Sequence, residues 1–463
     1  MPRFNFYFLC FAVVAYALTS GVTLRDRLLV STLHRIERRA YFEPTAKELF
    51  EGAMSGMAEV LSEEHGDGYS MYIPPSRKTA YQDTLANQYE GLGLLTRIHE
   101  KEEERKLFID YPFYNSPAYR TGLRSGDQIL EIDGTPITEQ TNLEVFRLLR
   151  QKTGTETHLV VLPFGQTESK DVFVPRERIQ FKSVIGDCFN SDGHVFFLET
   201  HPKIGYIWIT SFSESTAGEF GHALDRMMKA GVESFILDLR NNGGGDVWNC
   251  VQVAQMLMSP GSESDKVKSD NVIARIRDRG GRELLRHRRF VLTEGTQRCF
   301  LPMVVLIDGE SASASEILAV ALQDHRRATV VGTRSFGKGV IQGIISLPFQ
   351  SGILQLTDSE YRRPSGAAIH RKNNAEESDD WGVIPNNIVE LTEAERTAVI
   401  QYRTLRSNVL STERSAVLEL FRQQIAEKQN EDAPDSPLNP FEFTGTAPYY
   451  DRQLDEAIKV LLP

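Results

Sequence analysis

The sequence predicts a layered α/β protein with a central sheet, preceded by a β-rich module and flanked by helical segments. Three observations predict it. From 195 to 395, apolar runs of strand length alternate with helical patterns, the rhythm of helices stacked on a sheet. From 89 to 176, short apolar runs alternate with turn residues around a single helical stretch. Residues 25–62 and the stretch after 392 carry helical spacing.

The first segment places Leu28, Leu29, Leu33 and Ile36, then Leu49, Phe50, Met54, Met57 and Val60, near helical intervals. Pro44 suits an early helical position. In the β-rich module, Leu92 to Leu95, Leu107 to Ile109, Gln128 to Ile132 and His158 to Leu162 read as strands, with Asp133-Gly134 as a turn and Leu143 to Arg150 as the helix. In the α/β region, strands are predicted at Ile204 to Ile209, Ser234 to Leu239, Met303 to Ile307, Thr329 to Val331, Gly343 to Leu347 and Ile353 to Asp358. Helices are predicted at Thr216 to Ala230, Val247 to Met258 and Ala314 to Gln323. The resulting division is 1–24, 25–88, 89–176, 177–395 and 396–463. A chain of 463 residues is long enough for two or three domains.

Composition narrows the function. With 41% hydrophobic and 25% charged residues the chain has ample material for a core. Its net charge of −11 argues against a nucleic-acid partner, which wants a basic surface. Of four cysteines none forms a CxxC pair, so neither a zinc site nor a dithiol motif is expected. Buried free thiols are the default. Arg3 followed by an apolar run from Phe4 to Val22 begins like an export signal. Its length approaches that of a membrane anchor, and both readings stay open. An exported protein is expected, periplasmic or anchored facing away from the cytoplasm.

Three segments carry chemistry. Leu237-Asp238-Leu239-Arg240-Asn241-Asn242-Gly243-Gly244-Gly245 runs a strand into three glycines, where exposed amides can hold an oxyanion. The lysine and hydroxyl residue of a P-loop are absent there. Asp308-Gly309-Glu310-Ser311-Ala312-Ser313-Ala314-Ser315-Glu316-Ile317 leads a strand into a helix and places a serine at the helix start, where developing negative charge is favoured. Ser335-Phe336-Gly337-Lys338-Gly339-Val340-Ile341-Gln342 holds a lysine between glycines and apolar residues. A desolvated amine releases its proton more readily, so such a lysine can act as a base toward a serine.

In combination these segments resemble the carboxy-terminal processing peptidases, or tail-specific proteases. Lys338 follows Ser313 by twenty-five positions and Gln342 follows Lys338 by four, as in that family. The resemblance implies a crotonase/ClpP-like serine protease core. It makes Ser313 the nucleophile, Lys338 the general base and Gln342 the residue that orients the lysine. The oxyanion hole falls to the amide of Ala314 with Gly244 or Gly245. Gly243 stands where many members carry proline, which leaves the glycine donor open between those two.

Glu90 to Leu94, Asn115 to Asp127 and Ile132-Asp133-Gly134 resemble a PDZ domain. Such domains add an extended C-terminus to a sheet edge and capture its carboxylate with backbone N–H groups. Leu92, Gly93 and Leu94 are then the tail-binding loop. Asp451-Arg452-Gln453-Leu454 is similar to the family's end motif. The implied function is a serine endopeptidase with a Ser–Lys dyad, cleaving polypeptides near accessible C-termini, with no metal or organic cofactor. Membrane association through the N-terminal run is an open partner. The alternatives are an inactive PDZ-type tail-binding protein and a hydrolase using His222 or His370 as base; His325, twelve positions beyond Ser313 on the same expected helix, lies about 18 Å away along its axis, too far for a direct hydrogen bond.

Overall fold

In the computed structural model the described residues are 23–101, 104–149, 156–260, 271–284, 290–376, 378–417 and 451–462. The N-terminal run of 1–22 lies outside them. No helix among the described residues is long and apolar enough to cross a membrane. The chain divides into two compact units, Met1–Lys78 with Gln342–Thr357, and Thr79–Ile341 with Asp358–Pro463.

In the smaller unit, helices Leu24–Arg39 and Ala46–His65 each open on a threonine capping box, Thr23 with Asp26 and Thr45 with Glu48. Each box satisfies two of the amides that a helix start leaves unpaired. The second helix stops at Gly66, whose φ of 69° takes the left-handed turn. Strand Met71–Ile73 then pairs antiparallel with Ile353–Gln355.

The larger unit holds the β-rich module and the α/β core. The module's antiparallel sheet runs, in order, Leu94–Lys101, Glu104–Pro112, Gln128–Ile132, Glu156–Leu162 and Lys170–Pro175. Alternation sends Leu107, Ile109, Leu159 and Val161 inward, and a register shift between Ile129 and Glu131 brings both Ile129 and Ile132 to the same side, where all pack with Leu92, Leu123 and Val145. The helix occupies Asn142–Leu149.

The core sheet has six strands in sequence order: β1 (Val184–Ile185), β2 (Ile204–Ile209), β3 (Ser234–Asp238), β4 (Met303–Ile307), β5 (Thr329–Gly332) and β6 (Asn387–Ile388). β1 is antiparallel to β2, and the remaining neighbours are parallel. Helices α1 (Thr216–Lys229), α2 (Val247–Leu257) and α3 (Ala314–Asp324) make the crossovers. Right-handed crossovers between successive neighbours place all three on one face. There Ile207, Ile209, Phe235, Leu237, Val305 and Ile307 meet Phe220, Leu224, Val253, Leu257, Ile317 and Leu318. The alternate residues Tyr206, Trp208, Ile236, Val304 and Leu306 line the other face. Two later helices are α4 (Glu393–Asn408) and α5 (Arg452–Leu461). α5 covers the second face with Leu454, Ala457, Ile458 and Leu461. Both faces are therefore buried, which is why the strands read as continuous apolar runs. The carboxyl ends of β3, β4 and β5 bring all three motif segments to one edge of the sheet.

Candidate active site

Ser313 stands between β4 and α3 with φ 57° and ψ −116°. Positive φ is costly for a serine and persists only where the surroundings impose it. Those surroundings are dense. The Ala312 N–H donates to Asn242 O (3.0 Å), and the Ser315 hydroxyl donates to the same carbonyl (2.9 Å). The Ser311 hydroxyl donates to Leu239 O (2.8 Å). The Cys250 thiol donates to Ala314 O (3.0 Å). Ser313 itself is 8% exposed. The Ala314 amide opens α3, where N–H groups have no acceptor within the helix.

The glycine loop lies against this turn. Gly244 has φ 99°, and a Cβ there would come within 2.7 Å of Ser313 Cβ and 3.0 Å of Ala314 N. Only glycine lets the two backbones approach so closely. Gly245 has φ 128° and passes Phe212, where a Cβ would sit 2.1 Å from the carbonyl oxygen. The Gly244 N–H donates to Asn242 Oδ1 (2.9 Å). Asn242 Nδ2 in turn donates to Ile209 O at the end of β2 (2.8 Å).

Lys338 is half-buried. The glycines beside it are required by close approach: a Cβ at Gly339 would lie 2.4 Å from His370 N, and one at Gly337 2.8 Å from Arg371 Cβ. The Arg371 N–H donates to Gly337 O (2.8 Å), and the Tyr361 hydroxyl donates to the Lys338 carbonyl.

The serine and lysine segments meet on Glu316, which is fully buried one turn into α3. Its Oε2 accepts the N–H of Ser313 and the N–H of Lys338, each at 2.8 Å. Its Oε1 accepts the Ser335 hydroxyl (2.6 Å) and the Gly337 N–H (2.7 Å). Burial raises the carboxyl's pKa, the four hydrogen bonds pull it down, and the net result is about 7. Glu316 was quoted within a motif at the sequence level but given no role. Its spacing of three from Ser313, that of a capping box, was the available clue.

Gln342 lies in the smaller unit, where its Nε2 donates to Thr357 Oγ1 (3.1 Å) and that hydroxyl donates to Asp67 Oδ1 (3.0 Å). Leu92 is buried in the β-rich module and its carbonyl accepts the Ala118 N–H (2.9 Å). Gly93 has φ 76°, and its carbonyl accepts the Phe113 N–H (2.9 Å) and the Ser116 hydroxyl (2.7 Å). Leu94 opens the strand that pairs with Glu104–Pro112. His325 caps the far end of α3 and shares a hydrogen bond with Val272 O (2.8 Å). His222 lines a cavity of about 910 Å³ between the β-rich module and the core, whose walls include Phe113, Phe181 and Trp208 but neither Ser313 nor Lys338. Cys188, Cys250 and Cys299 are free and buried.

Residues 203–388 match peptidase family S41, and residues 114–163 match the PDZ domain. A carboxy-terminal-processing protease of Bartonella bacilliformis is 31% identical over 351 residues, covering 75% of this chain and 71% of the relative. The carboxy-terminal processing protease CtpA of Bacillus subtilis is 28% identical over 383 residues, covering 79% and 74%. CtpB of the same organism is 29% identical over 351 residues, covering 75% and 67%. With an α/β core, a PDZ domain beside it and these relatives, the chain belongs to peptidase family S41, as a serine protease of the carboxy-terminal processing type.

Proposed function

We propose that the enzyme cleaves polypeptides near their C-termini with Ser313 as nucleophile and Lys338 as base, while the PDZ loop Leu92–Leu94 holds the substrate's tail. The observation that carries this reading is the shared oxygen of Glu316, which takes the amides of both residues at 2.8 Å. The shared acceptor brings the backbone of a strained serine at a helix start close to that of a lysine in a glycine-lined turn, which supports a dyad between their side chains.

The neutral Lys338 amine takes the Ser313 proton as Oγ attacks the scissile carbonyl carbon. The oxyanion is received by the Ala314 amide and the Gly244–Gly245 pair. At Gly244 it competes with Asn242 Oδ1 for the N–H. The lysine ammonium then protonates the leaving amine. Water, deprotonated by the same amine, opens the acyl ester. Gln342 is assigned to orient the lysine on the family pattern. The carbonyls of Leu92 and Gly93 are taken by the 113–118 turn, which suits a loop that offers N–H groups to a terminal carboxylate.

The test incubates purified protein with an unstructured polypeptide. Cleavage by the wild type, lost in both Ser313→Ala and Lys338→Ala, is expected. Activity surviving in Lys338→Ala overturns the dyad, and no cleavage by the wild type favours a binding protein. Amidating the substrate's C-terminus should weaken kcat/KM, and unchanged turnover removes the PDZ role. Export is proposed from the apolar N-terminal run, and mass spectrometry of the mature N-terminus from separated cell fractions decides it.

A further inference from the structure

Asp451-Arg452-Gln453-Leu454 lies more than a hundred residues beyond Lys338 in the sequence, and its contacts give it a role. Asp451 caps α5 by accepting the N–H groups of Gln453 (3.1 Å) and Leu454 (3.0 Å) through Oδ1. The same carboxylate accepts Arg240 Nη1 (2.9 Å), and Gln453 Oε1 accepts it as well (3.1 Å). Gln453 is 1% exposed and is fixed from its other end by donating Nε2–H to Val389 O (2.9 Å). Arg240 is 2% exposed and begins the glycine loop. Its remaining nitrogens face Asp238, with Nη2 at 2.7 Å from Oδ2. Asp238 also accepts Arg403 Nη1 (2.7 Å) from α4 and the Tyr206 hydroxyl (2.6 Å) from β2. The cluster thus balances two arginines against two aspartates, with Asp238, Arg240 and Arg403 buried and Asp451 at its rim, and a buried charge needs its partner.

The path onward to the nucleophile is short. Arg240 O accepts the Trp208 indole N–H and Arg403 Nη2, both at 3.3 Å. The Asn241 amide donates to Asp308 Oδ1 (2.9 Å). Asn242 then supplies the carbonyl that holds Ala312 and Ser315, on either side of Ser313, and the side chain that holds the Gly244 amide. We propose that Asp451 and Gln453 are positioning residues for the oxyanion loop: by anchoring Arg240 they set the path of 241–245 past Ser313. Neither touches substrate. The inference rests on the dyad reading above, because it assumes that this loop stabilises the oxyanion of a Ser313 adduct.

The test measures kcat, KM and the affinity of a peptide boronate, whose tetrahedral adduct on serine occupies the oxyanion site, in the full chain. Asp451→Ala is expected to lower kcat and boronate affinity in parallel by about tenfold to a hundredfold, a displaced rather than deleted donor. KM for the polypeptide should stay within about twofold. Asp451→Asn, which keeps an acceptor for Arg240, should recover part of the loss. If Asp451→Ala does not fold, Gln453→Met decides, since it keeps volume and removes the second acceptor. A folded variant with wild-type kcat and boronate affinity overturns the proposal, and so does a loss confined to KM. Ser313→Ala serves as the control: if it still cleaves, the dyad reading has failed, whereas if it is inactive and the anchor variants are fully active, only this inference falls.

Discussion

Replacing Glu316 by glutamine separates the catalytic role of the shared carboxylate from its contribution to folding. In the native site each oxygen accepts two donors. A glutamine amide turns an NH₂ toward one of these pairs whichever way it is flipped, so two charge-assisted bonds are lost on the Ser313–Lys338 side, or one on the other side, where the Ser335 hydroxyl can rotate to accept. At about 1.5–3 kcal/mol for a bond to a charged group, the loss is about 1.5–6 kcal/mol. Against it stands the penalty for burying the charge. That penalty exceeds the roughly 3.5 kcal/mol that the carboxyl's net rise from 4.5 to about 7 represents at about 1.4 kcal/mol per pKa unit, because the hydrogen bonds already pull that value down. Glutamine escapes that penalty. Global stability should therefore fall by no more than about 3 kcal/mol. Either the Ser313 and Lys338 amides together or the Gly337 amide beside Lys338 loses its acceptor and is left free to shift, and kcat should drop about a hundredfold, equivalent to about 2.7 kcal/mol. The pH dependence gives a second reading. The folded state binds the Glu316 proton more tightly than the unfolded chain does. Its stabilising contribution is complete below about 4.5 and is lost as pH rises to about 7. That slope should vanish in Glu316→Gln. In the wild type, protonation below about pH 7 turns one oxygen into a donor, so activity should fall around pH 7 in addition to the acidic limb that the Lys338 base gives both enzymes, and the variant should lack that added fall. Thermal unfolding and kcat, each measured from pH 5 to 9, test all of this. A variant with kcat within threefold of the wild type, or with a pH profile superimposable on the wild type's, refutes the reasoning.

Gly244→Ala places a methyl group 2.7 Å from Ser313 Cβ on a residue with φ 99°; kcat should fall at least about a hundredfold with the fold kept, as circular dichroism beside an activity assay will show. Iodoacetamide should leave the native enzyme fully active and Cys188, Cys250 and Cys299 unlabelled near pH 8, because burial pushes the Cys188 thiol up to about 12 and raises Cys250 and Cys299 as well; labelling of any of these three without denaturant, mapped by mass spectrometry, contradicts this. Arg403→Met removes one of the two arginines on Asp238 and the guanidinium stacked 3.7 Å over Trp208. It should cost about 3–5 kcal/mol in urea unfolding, as breaking a buried ion cluster does.

Much of the fold was legible because both faces of the core sheet are buried. Ile204–Ile209 and Met303–Ile307 are unbroken apolar runs, and strand and reading coincide in both. The three crossover helices fall within a residue of their expected ends. Strand Ile353–Arg362 runs four residues beyond its expected end, since Ser359-Glu360-Tyr361-Arg362 carries no apolar alternation and is held by pairing with Arg275–Asp278. The strand expected from Gly343 starts at Val340, because a glycine–lysine–glycine turn gives no periodic sign of where extension begins. The site divides in the same way. The serine, lysine and glycines are visible as letters in fixed order. The junction at Glu316 is not, because three of its four partners are backbone amides, which no sequence letter marks. The anchoring of Arg240 by Asp451 joins positions 211 residues apart and leaves no local pattern at all.

The helix that closes the second face of the sheet has a consequence for the order of synthesis. β2 to β5 emerge from the ribosome well before Arg452–Leu461. Until that helix arrives, Tyr206, Ile236, Val304 and Leu306 lack one of their covers. A nascent chain paused in this interval presents a wet apolar sheet face, the surface on which partly made proteins stick to one another or to chaperones. Docking of α5 is a long-range contact, slow to form by its nature. The burial that completes the core and the ion cluster beside the catalytic loop are therefore both late events of biogenesis.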